Sequence, residues 1–379
     1  MIKPDFNGGC TINLLSSILN SFNVKWKHNE LNLLSSNEIK KYKNRIVFLI
    51  DGLGYNYLKK NSNSFLYKNL RGAIDSVFPS TTTCSLTTFS SGLNVIEHGF
   101  TGWYMKMDEI SKHPFMILPL AERKPNSKFK PDDEKLKSIL PDSISNYIKD
   151  SHLLIPDYVG CNSFCTGSSP KSKSHIYTSF DELVEIVSKL TYEDGEKYIY
   201  IYNPLLDSRS HEFGVNSKEA NDVFYELDNL SEKLFMKSNN NSIIIYTADH
   251  GQLDTENSKV IVFNDYPELM DLLSYPLCGE PRCAYVYTNN KRKFYEKVIQ
   301  YLGEKIEIYD SVKLVEAGYF GDGKENLEFK NRIGDFILIP KENYILCDFI
   351  DGEERQFNIG NHGGLSEDEV KIPLVVVSK

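Results

Sequence analysis

The stretch RIVFLID, residues 45–51, decides the fold class. Five apolar residues stand in a row between Arg45 and Asp51, so a strand at this position would bury both of its faces. Similar runs recur in KYIYIYNP (197–204), SIIIYTAD (242–249) and IPLVVVS (372–378). Strands that are apolar on both faces are typical of the interior of a parallel sheet.

Amphipathic helical patterns separate these strands. SFDELVEIVSKL (179–190) is one of them, and SKEANDVFYELDNLSEKLF (217–235) is another. In the second pattern, apolar residues recur at steps of three and four and form one stripe. Alternating strands and helices predict an α/β fold with a mostly parallel central sheet sandwiched by helices.

Residues 275–345 interrupt this alternation. They contain the strand-like AYVYT, the helical KRKFYEKVIQYL, a further strand-like KIEIYD and then GDFILIP. We therefore expect a small α+β subdomain, a cap, inserted into a core formed by residues 1–274 and 346–379. The charged, proline-punctuated residues 122–150 predict an excursion on the surface.

The overall charge constrains the partners of the chain. The 379 residues are 41% hydrophobic and 25% charged, and the formal net charge is −9. An acidic chain has no electrostatic reason to bind nucleic acid non-specifically, so we expect no stable nucleic-acid binding. If the substrate is anionic, a metal or a few basic side chains must supply positive charge locally.

The cysteines and the apolar segments indicate where the chain resides. Seven cysteines at irregular spacing argue against a disulfide framework and predict reduced thiols in a cytoplasmic protein. The amino-terminal segment has no uninterrupted apolar region typical of a signal peptide. No stretch of about 18 apolar residues is present, so we expect no membrane span. The cysteines are Cys10, Cys84, Cys161, Cys165, Cys278, Cys283 and Cys347.

Side chains that can bind metals follow or precede the predicted strands. They are Asp51, Asp207, His211, Asp249, His250 and His362. In open α/β sheets, ligands collect outside the carboxyl ends of the strands, so we expect these six side chains to converge at one edge. Each residue alone has an ordinary explanation as a helix cap or a surface histidine, but the combination favours a metal site. Mixed carboxylate and imidazole ligands suit zinc, with manganese and iron as alternatives.

The threonine-rich run PSTTTCSLTTFSSGL, residues 79–93, lies where a helix is predicted to begin. Serine and threonine oxygens at this position can cap the free N–H groups of the first turn. One hydroxyl could instead point towards the metal cluster and act as a nucleophile, because a helix N-terminus favours a bound anion. Position alone does not choose between Thr81, Thr82 and Thr83.

The motifs resemble, in their order, those of the type I phosphodiesterase/nucleotide pyrophosphatase family of the alkaline phosphatase superfamily. The motifs in this chain are Asp51-Gly52, Pro79 to Thr82, Ser91-Gly92-Leu93 with Glu97-His98-Gly99, Asp207 to Gly214, Asp249-His250-Gly251 and Gly360 to Gly363. The resemblance covers residues 45 to 379. Each motif is modest alone, whereas the ordered set is specific.

The resemblance implies a two-metal hydrolase. It places the nucleophile on Thr82, one zinc ion on Asp207, His211 and His362, and a second zinc ion on Asp51, Asp249, His250 and the Thr82 oxygen. The implied reaction is hydrolysis of a phosphodiester or pyrophosphate bond in a small, nucleotide-like substrate through a phosphothreonine intermediate. Trp103 stands where eukaryotic members have an asparagine that helps to hold a phosphate oxygen. Its indole could stack on a base or another planar leaving group, which makes it a candidate substrate-binding residue, or it could pack in the core.

Other functions on the same core remain open at this point. A phosphomonoesterase or a phosphotransferase would use the same ligands, and an inactive metal-binding partner protein is a further alternative. The sulfatase branch is disfavoured, because Cys84 is followed by neither the proline nor the arginine of its signature. Arg282 could meet a substrate phosphate, although a solvated arginine is the more common case. The sequence leaves the oligomeric state open.

Overall fold

The computed structural model describes residues 1–159 and 167–379. Its strands, in chain order, are β1 (Asn44–Ile50), β2 (Leu70–Asp75), β3 (Phe115–Met116), β4 (Ala121–Glu122), β5 (Ser151–Pro156), β6 (Lys173–Tyr177), β7 (Lys197–Asn203), β8 (Ser242–Thr247), β9 (Leu253–Asp254), β10 (Val260–Val262), β11 (Leu273–Glu280), β12 (Cys283–Thr288), β13 (Ile306–Asp310), β14 (Phe336–Pro340), β15 (Ile345–Cys347), β16 (Gly360–Asn361) and β17 (Lys371–Ser378).

The longer helices of the described residues are Thr11–Ser21, Thr82–Ser91, Phe180–Tyr192, Leu205–Phe213, Lys218–Lys237 and Lys291–Leu302. Shorter α-helices are Ser36–Ile39, Tyr55–Lys60, Phe65–Lys68, Val95–His98, Asp133–Ile139, Pro267–Met270, Ser311–Glu316, Phe329–Ile333 and Glu367–Val370. Single 3₁₀ turns occur at Ile144–Asn146, Asn257–Lys259 and Phe263–Asp265.

A seven-stranded sheet forms the centre of the protein, in the order β2-β17-β8-β1-β7-β5-β6. β1 lies between β7 and β8 and is parallel to both, and all seven of its residues are buried. β17 is antiparallel to both β8 and β2. The predicted α/β fold with a mostly parallel sheet is therefore confirmed, but assigning IPLVVVS to a parallel arrangement was wrong. An apolar run reports burial on both faces and carries no information on strand direction.

Helices cover both faces of this sheet. Val47 of β1 is in register with Tyr200 on one side and Ile245 on the other, so these three side chains point to one face. On that face the ring of Phe89, from the helix Thr82–Ser91, stacks on Tyr200 at 5.8 Å. Tyr246 points to the opposite face, where its hydroxyl donates to the Ser231 carbonyl of the helix Lys218–Lys237. The sheet is thus enclosed on both sides.

A second, antiparallel sheet has the order β11-β12-β14-β13 and spans residues 273–340. The helix Lys291–Leu302 packs against it through a core that includes Phe294, Val298 and Leu338. This sheet begins two residues before the predicted boundary at 275. The division into a core and an inserted cap at 275 and 345 stays a prediction.

The described residues do not test where the protein resides. Its cysteines Cys10, Cys84, Cys278, Cys283 and Cys347 are free thiols. Cys161 and Cys165, which we also expect to be reduced, lie outside the described residues. Within residues 1–159 and 167–379, the structure has no helix with the length and apolarity needed to cross a bilayer. The cytoplasmic location stays a prediction.

Candidate active site

The predicted metal ligands meet at one edge of the central sheet. Asp51 directly follows β1, and Asp249 and His250 are the second and third residues after β8. Asp207 and His211 lie on the helix Leu205–Phe213, which begins just after β7. Each of these segments leaves the carboxyl end of its strand, which is where open α/β sheets bind ligands.

His362 reaches the same edge from the opposite chain direction. It lies just after the short strand β16 and before β17, and β17 is antiparallel to β8. The beginning of β17 therefore lies beside the ends of the parallel strands. The ring of His362 stacks on that of His250, with centroids 3.7 Å apart and an interplanar angle of 17°.

Asp207, His211 and His362 form the first cluster of ligand atoms. Asp207 and His211 are four residues apart on one helix, so they share a face. His211 Nε2 lies 3.2 Å from Asp207 Oδ2, and His362 Nε2 lies 3.8 Å from Asp207 Oδ1. One ligand atom from each residue falls within 4.8 Å of the others, which is close enough for the three to hold one ion.

Asp51, Asp249 and His250 form the second cluster. His250 Nε2 lies 3.5 Å from Asp51 Oδ1 and 3.3 Å from Asp249 Oδ2. The Thr82 hydroxyl oxygen lies 3.1 Å from the same nitrogen. All four residues are at most 9% exposed. The hydroxyl therefore sits beside a buried group of two carboxylates and an imidazole.

The neighbouring threonine has a different contact. Thr81 is the N-cap residue of the helix Thr82–Ser91, but its side chain makes no capping hydrogen bond. Its hydroxyl donates instead to the Glu280 carboxylate. Of Thr81 and Thr82, it is therefore Thr82 whose hydroxyl contacts a predicted metal ligand.

The histidines present the correct nitrogen for metal binding. His211 Nδ1 lies 2.7 Å from the Gly360 carbonyl, His250 Nδ1 lies 3.1 Å from the Gly251 carbonyl, and His362 Nδ1 lies 3.2 Å from the Ser80 carbonyl. A carbonyl accepts a hydrogen bond, so each Nδ1 carries a proton, and in the neutral ring each Nε2 keeps a free electron pair. Those three Nε2 atoms are the ones that face the carboxylates.

Two buried carboxylate oxygens also fit a cation. Asp51 Oδ1 and Asp249 Oδ2 have no hydrogen-bond partner among the described residues. The second oxygen of each carboxylate is held, since Tyr202 donates its hydroxyl to Asp51 Oδ2 at 2.6 Å and Gly52 N–H donates to Asp249 Oδ1 at 3.1 Å. Buried charge without a partner is costly, so a divalent cation would complete the second cluster.

Charge and burial shift the protonation of these groups. Burial, together with the neighbouring charges of Asp249 and Asp207, raises the pKa of Asp51. Burial alone would lower the pKa of His211, but contact with Asp207 outweighs it and raises that pKa to about 9. Burial and the neighbouring His250 lower the pKa of His362. Asp207 has a lowered pKa, because its histidine neighbours outweigh the effect of its burial.

A family model for the type I phosphodiesterase/nucleotide pyrophosphatase matches residues 45–118 and 122–365. The chain belongs to this family. Membership confirms the resemblance derived from the motifs and places the protein in the alkaline phosphatase superfamily, as a hydrolase of the phosphodiesterase/nucleotide pyrophosphatase type. The family depends on divalent metal ions, in agreement with the two ligand clusters.

Solved structures of similar fold come from mouse and human. Murine ectonucleotide pyrophosphatase/phosphodiesterase 5 is 18% identical, with a TM-score of 0.63 over 89% of this chain and 88% of that one. The human protein of the same name is 19% identical, with a TM-score of 0.63 over 88% of each chain. An inactive variant of the murine protein, in complex with AMP, is 19% identical with a TM-score of 0.61 over 87% of each. A search of curated proteins finds no match.

In this phosphodiesterase-family protein, a cavity of about 810 Å³ opens over Thr82 and the first cluster. Its walls also include the end of β11, residues 345–361 and Trp103, which is 36% exposed. Arg123 also lines the cavity but is 5% exposed and held by Asp348 and Glu353. Part of the predicted surface excursion at 122–150 therefore contributes to the wall of the active-site cavity.

Arg282 does not line the cavity over Thr82. It is 2% exposed, and its guanidinium forms two hydrogen bonds with the Glu369 carboxylate at 3.0 and 2.9 Å. The expectation that it contacts substrate or solvent was wrong, because this buried partner lies 87 positions away in the sequence.

Sequence reasoning missed three polar residues beside the ligands. Tyr202 holds Asp51, Gln252 donates to Asp207, and Glu280 contacts Thr81. Tyr202 is the penultimate residue of β7 and Glu280 is the last residue of β11, and the sequence pattern of neither strand gives a sign of a role in the site. Gln252 follows the Asp249-His250-Gly251 motif directly, and this position is the one signal that could have identified it.

Steric constraints explain why glycine occupies two positions in the motifs. Gly52 has a φ of +75°, and a Cβ there would lie 2.9 Å from Gln252 Nε2 and 3.1 Å from the Asp207 Cα. A side chain at this position would strain the backbone and displace the first cluster. Gly363, which follows His362, has a φ of +114°, and its Cβ would lie 2.7 Å from the Glu280 Cβ. This packing brings Glu280 close to the His362 loop.

Proposed function

We propose that the protein hydrolyses phosphodiester or pyrophosphate bonds in small nucleotide-like substrates, with Thr82 as the nucleophile. The observation that carries this proposal is the Thr82 hydroxyl at 3.1 Å from His250 Nε2, beside two three-residue clusters of metal-ligand type. The family membership supports the reaction class.

Two divalent cations complete the proposed site. Asp207, His211 and His362 would hold one, and Asp51, Asp249 and His250 would hold the other together with the Thr82 oxygen. Zinc suits this set of carboxylate and imidazole ligands, and manganese or iron are the alternatives. When bound, the cations would supply the positive charge that the acidic chain lacks and would lower the pKa of the threonine hydroxyl.

The chain's own residues then account for the two steps. In the first, the Thr82 oxygen forms a bond to phosphorus, the bond to the leaving alkoxide or phosphate breaks, and the hydroxyl proton passes through solvent to the leaving oxygen. In the second, water attacks the phosphothreonine ester, releases the phosphoryl product and restores the hydroxyl. Thr82 begins a ten-residue helix, whose N–H groups and dipole favour the negative charge of the phosphoryl group.

The cavity supports a substrate of nucleotide size. Its volume of about 810 Å³ lies in the range of pockets that enclose small organic ligands. Trp103 offers a partly exposed indole on the wall, which we propose stacks against a base or another planar group. The complex of the murine relative with AMP is consistent with this substrate class.

The decisive experiment measures hydrolysis of bis(p-nitrophenyl) phosphate by the purified, zinc-loaded protein. We expect activity that disappears after chelation and returns with added metal. Thr82→Ala should reduce turnover at least about a thousandfold while both ions stay bound, because it removes the attacking atom. Thr83→Ala is the matched control, and we expect it to keep most of the activity.

A phosphothreonine intermediate can be observed directly by rapid acid quenching and mass spectrometry of the peptide that contains residue 82. Activity that survives complete metal removal would exclude the proposed mechanism. Full activity in Thr82→Ala would move the nucleophile to Thr81 or Thr83. A metal-loaded protein with no activity on any phosphoester would favour the inactive binding protein instead.

A further inference from the structure

Glu280 is a buried carboxylate at the wall of the active-site cavity. It ends β11, is 8% exposed, and borders the cavity together with Thr81, Thr82 and Trp103. Two groups donate hydrogen bonds to it: the hydroxyl of Thr81, and the backbone N–H of Trp103 at 2.7 Å. Glu280 therefore links Thr81, the residue before the proposed nucleophile, to Trp103, which stands at the asparagine position of eukaryotic family members.

This carboxylate has no cationic partner in the described part of the chain. Both of its hydrogen bonds reach Oε1, and none of the ion pairs among residues 1–159 and 167–379 includes Glu280. Burying an unpaired carboxylate is costly, and Arg282, only two residues away, is committed to Glu369. Burial raises the pKa of Glu280 to about 7, so the carboxylate is ionised at pH 8.5, and neither a lysine nor an arginine of the described residues pairs with it.

The rest of the described cavity wall offers no free cation to balance this charge. Arg123 is the only lysine or arginine among the described lining residues, and Asp348 and Glu353 hold its guanidinium. Sites that bind a doubly charged phosphate group usually present arginine in a forked arrangement. In this cavity the ionisable side chain next to Thr81 is a carboxylate, so the positive charge at the site would come from the proposed metal ions.

We infer that Glu280 makes the site select phosphodiesters over phosphomonoesters, an inference that rests on the proposed function. At pH 8.5 a diester phosphoryl group carries one negative charge and a terminal monoester group carries nearly two. The Glu280 carboxylate repels the second charge more strongly than a neutral side chain would, and repulsion of the wrong ligand is a common source of specificity. The preferred substrate is therefore a nucleotide-like diester rather than a terminal phosphate monoester.

The test compares kcat/KM for bis(p-nitrophenyl) phosphate and p-nitrophenyl phosphate at pH 8.5, in the zinc-loaded protein and in Glu280→Gln. Glutamine keeps an oxygen that can accept from Thr81 and from the Trp103 N–H, so the local fold is retained. We expect the diester-to-monoester ratio to fall at least about tenfold, mainly through faster monoester hydrolysis. Glu354→Gln, an exposed carboxylate of the same wall, is the matched control, and we expect a change of less than about twofold.

An unchanged ratio in Glu280→Gln would overturn the inference while leaving the proposed function intact. If the wild-type protein hydrolyses neither ester, the proposed function fails instead. Calorimetric binding of inorganic phosphate and of dimethyl phosphate to the zinc-loaded protein then provides the test without turnover. Glu280→Gln should strengthen binding of inorganic phosphate at least about tenfold relative to dimethyl phosphate, and equal changes for both anions would refute the role of Glu280.

Discussion

Tyr202→Phe tests whether the second cluster is built to hold a metal ion. The Tyr202 hydroxyl donates to Asp51 Oδ2 at 2.6 Å, and both residues are buried. A hydrogen bond to a charged group contributes about 1.5–3 kcal/mol. Asp51 Oδ1 has no partner among the described residues, so the substitution would leave the whole carboxylate without a donor from a protein side chain.

The loss should appear in metal affinity. Burial and the charges of Asp249 and Asp207 already raise the pKa of Asp51, and the Tyr202 hydroxyl opposes that shift. Without the hydroxyl the carboxyl group holds its proton more tightly, and the proton competes with the cation. Since 1.4 kcal/mol is a factor of ten, we expect the affinity of this cluster for zinc to fall about 10–100-fold.

A competition titration against a chromophoric zinc chelator measures both affinities in one experiment. The titration resolves two zinc-binding steps. Tyr202→Phe should change the affinity of only one of them, because Tyr202 contacts one cluster. Tyr198→Phe is the matched control, since Tyr198 lies on the same strand and face and its buried hydroxyl has no partner among the described residues. The reasoning is refuted if Tyr202→Phe binds both ions within twofold of the wild type, or if Tyr198→Phe loses as much.

Two further predictions concern pH and stability. His211 has a pKa raised to about 9 in the metal-free protein, so a proton must leave before its Nε2 can bind a cation. The affinity of the first cluster should therefore rise about tenfold per pH unit between pH 7 and 9 and level off above, as measured by titration with the chelator at each pH; a flat profile would contradict this assignment. Glu369→Gln leaves the buried Arg282 without its countercharge and should lower the free energy of unfolding by about 3–5 kcal/mol in urea titrations, whereas a loss below about 1 kcal/mol would show that the ion pair is not a stabilising feature.

The features that could be predicted from the sequence are those that depend on local patterns. The run from Ile46 to Ile50 reports burial on both faces of a strand, and Asp51 marks the point where the strand leaves the core. The same reasoning applies to Asp249 after β8. Because strand ends of one direction collect at one edge, these local signals predict a shared site without any knowledge of long-range contacts.

The features that could not be predicted depend on contacts between distant segments. Glu280 meets Thr81 across 199 sequence positions, and Tyr202 meets Asp51 across 151. Tyr202 is the penultimate residue of β7 and Glu280 the last residue of β11, and neither strand has a local pattern that marks a site residue. The role of a buried polar residue can be recognised only when its hydrogen-bond partner is known. For both residues the fold, and not the neighbouring sequence, supplies that partner.

The direction of β17 shows how the site itself could have corrected the fold prediction. If β17 were parallel to β8, the residues before it would lie at the opposite edge of the sheet. A six-residue strand is about 20 Å long, so His362 would then lie far from Asp207, to which its Nε2 comes within 3.8 Å. The hydrophobic pattern of IPLVVVS is the same for either direction. If His362, which precedes β17, is to bind the same metal ion as an aspartate that follows a parallel strand, β17 must be antiparallel to those strands. The chemistry of the proposed metal site therefore contains topological information that the apolar pattern lacks.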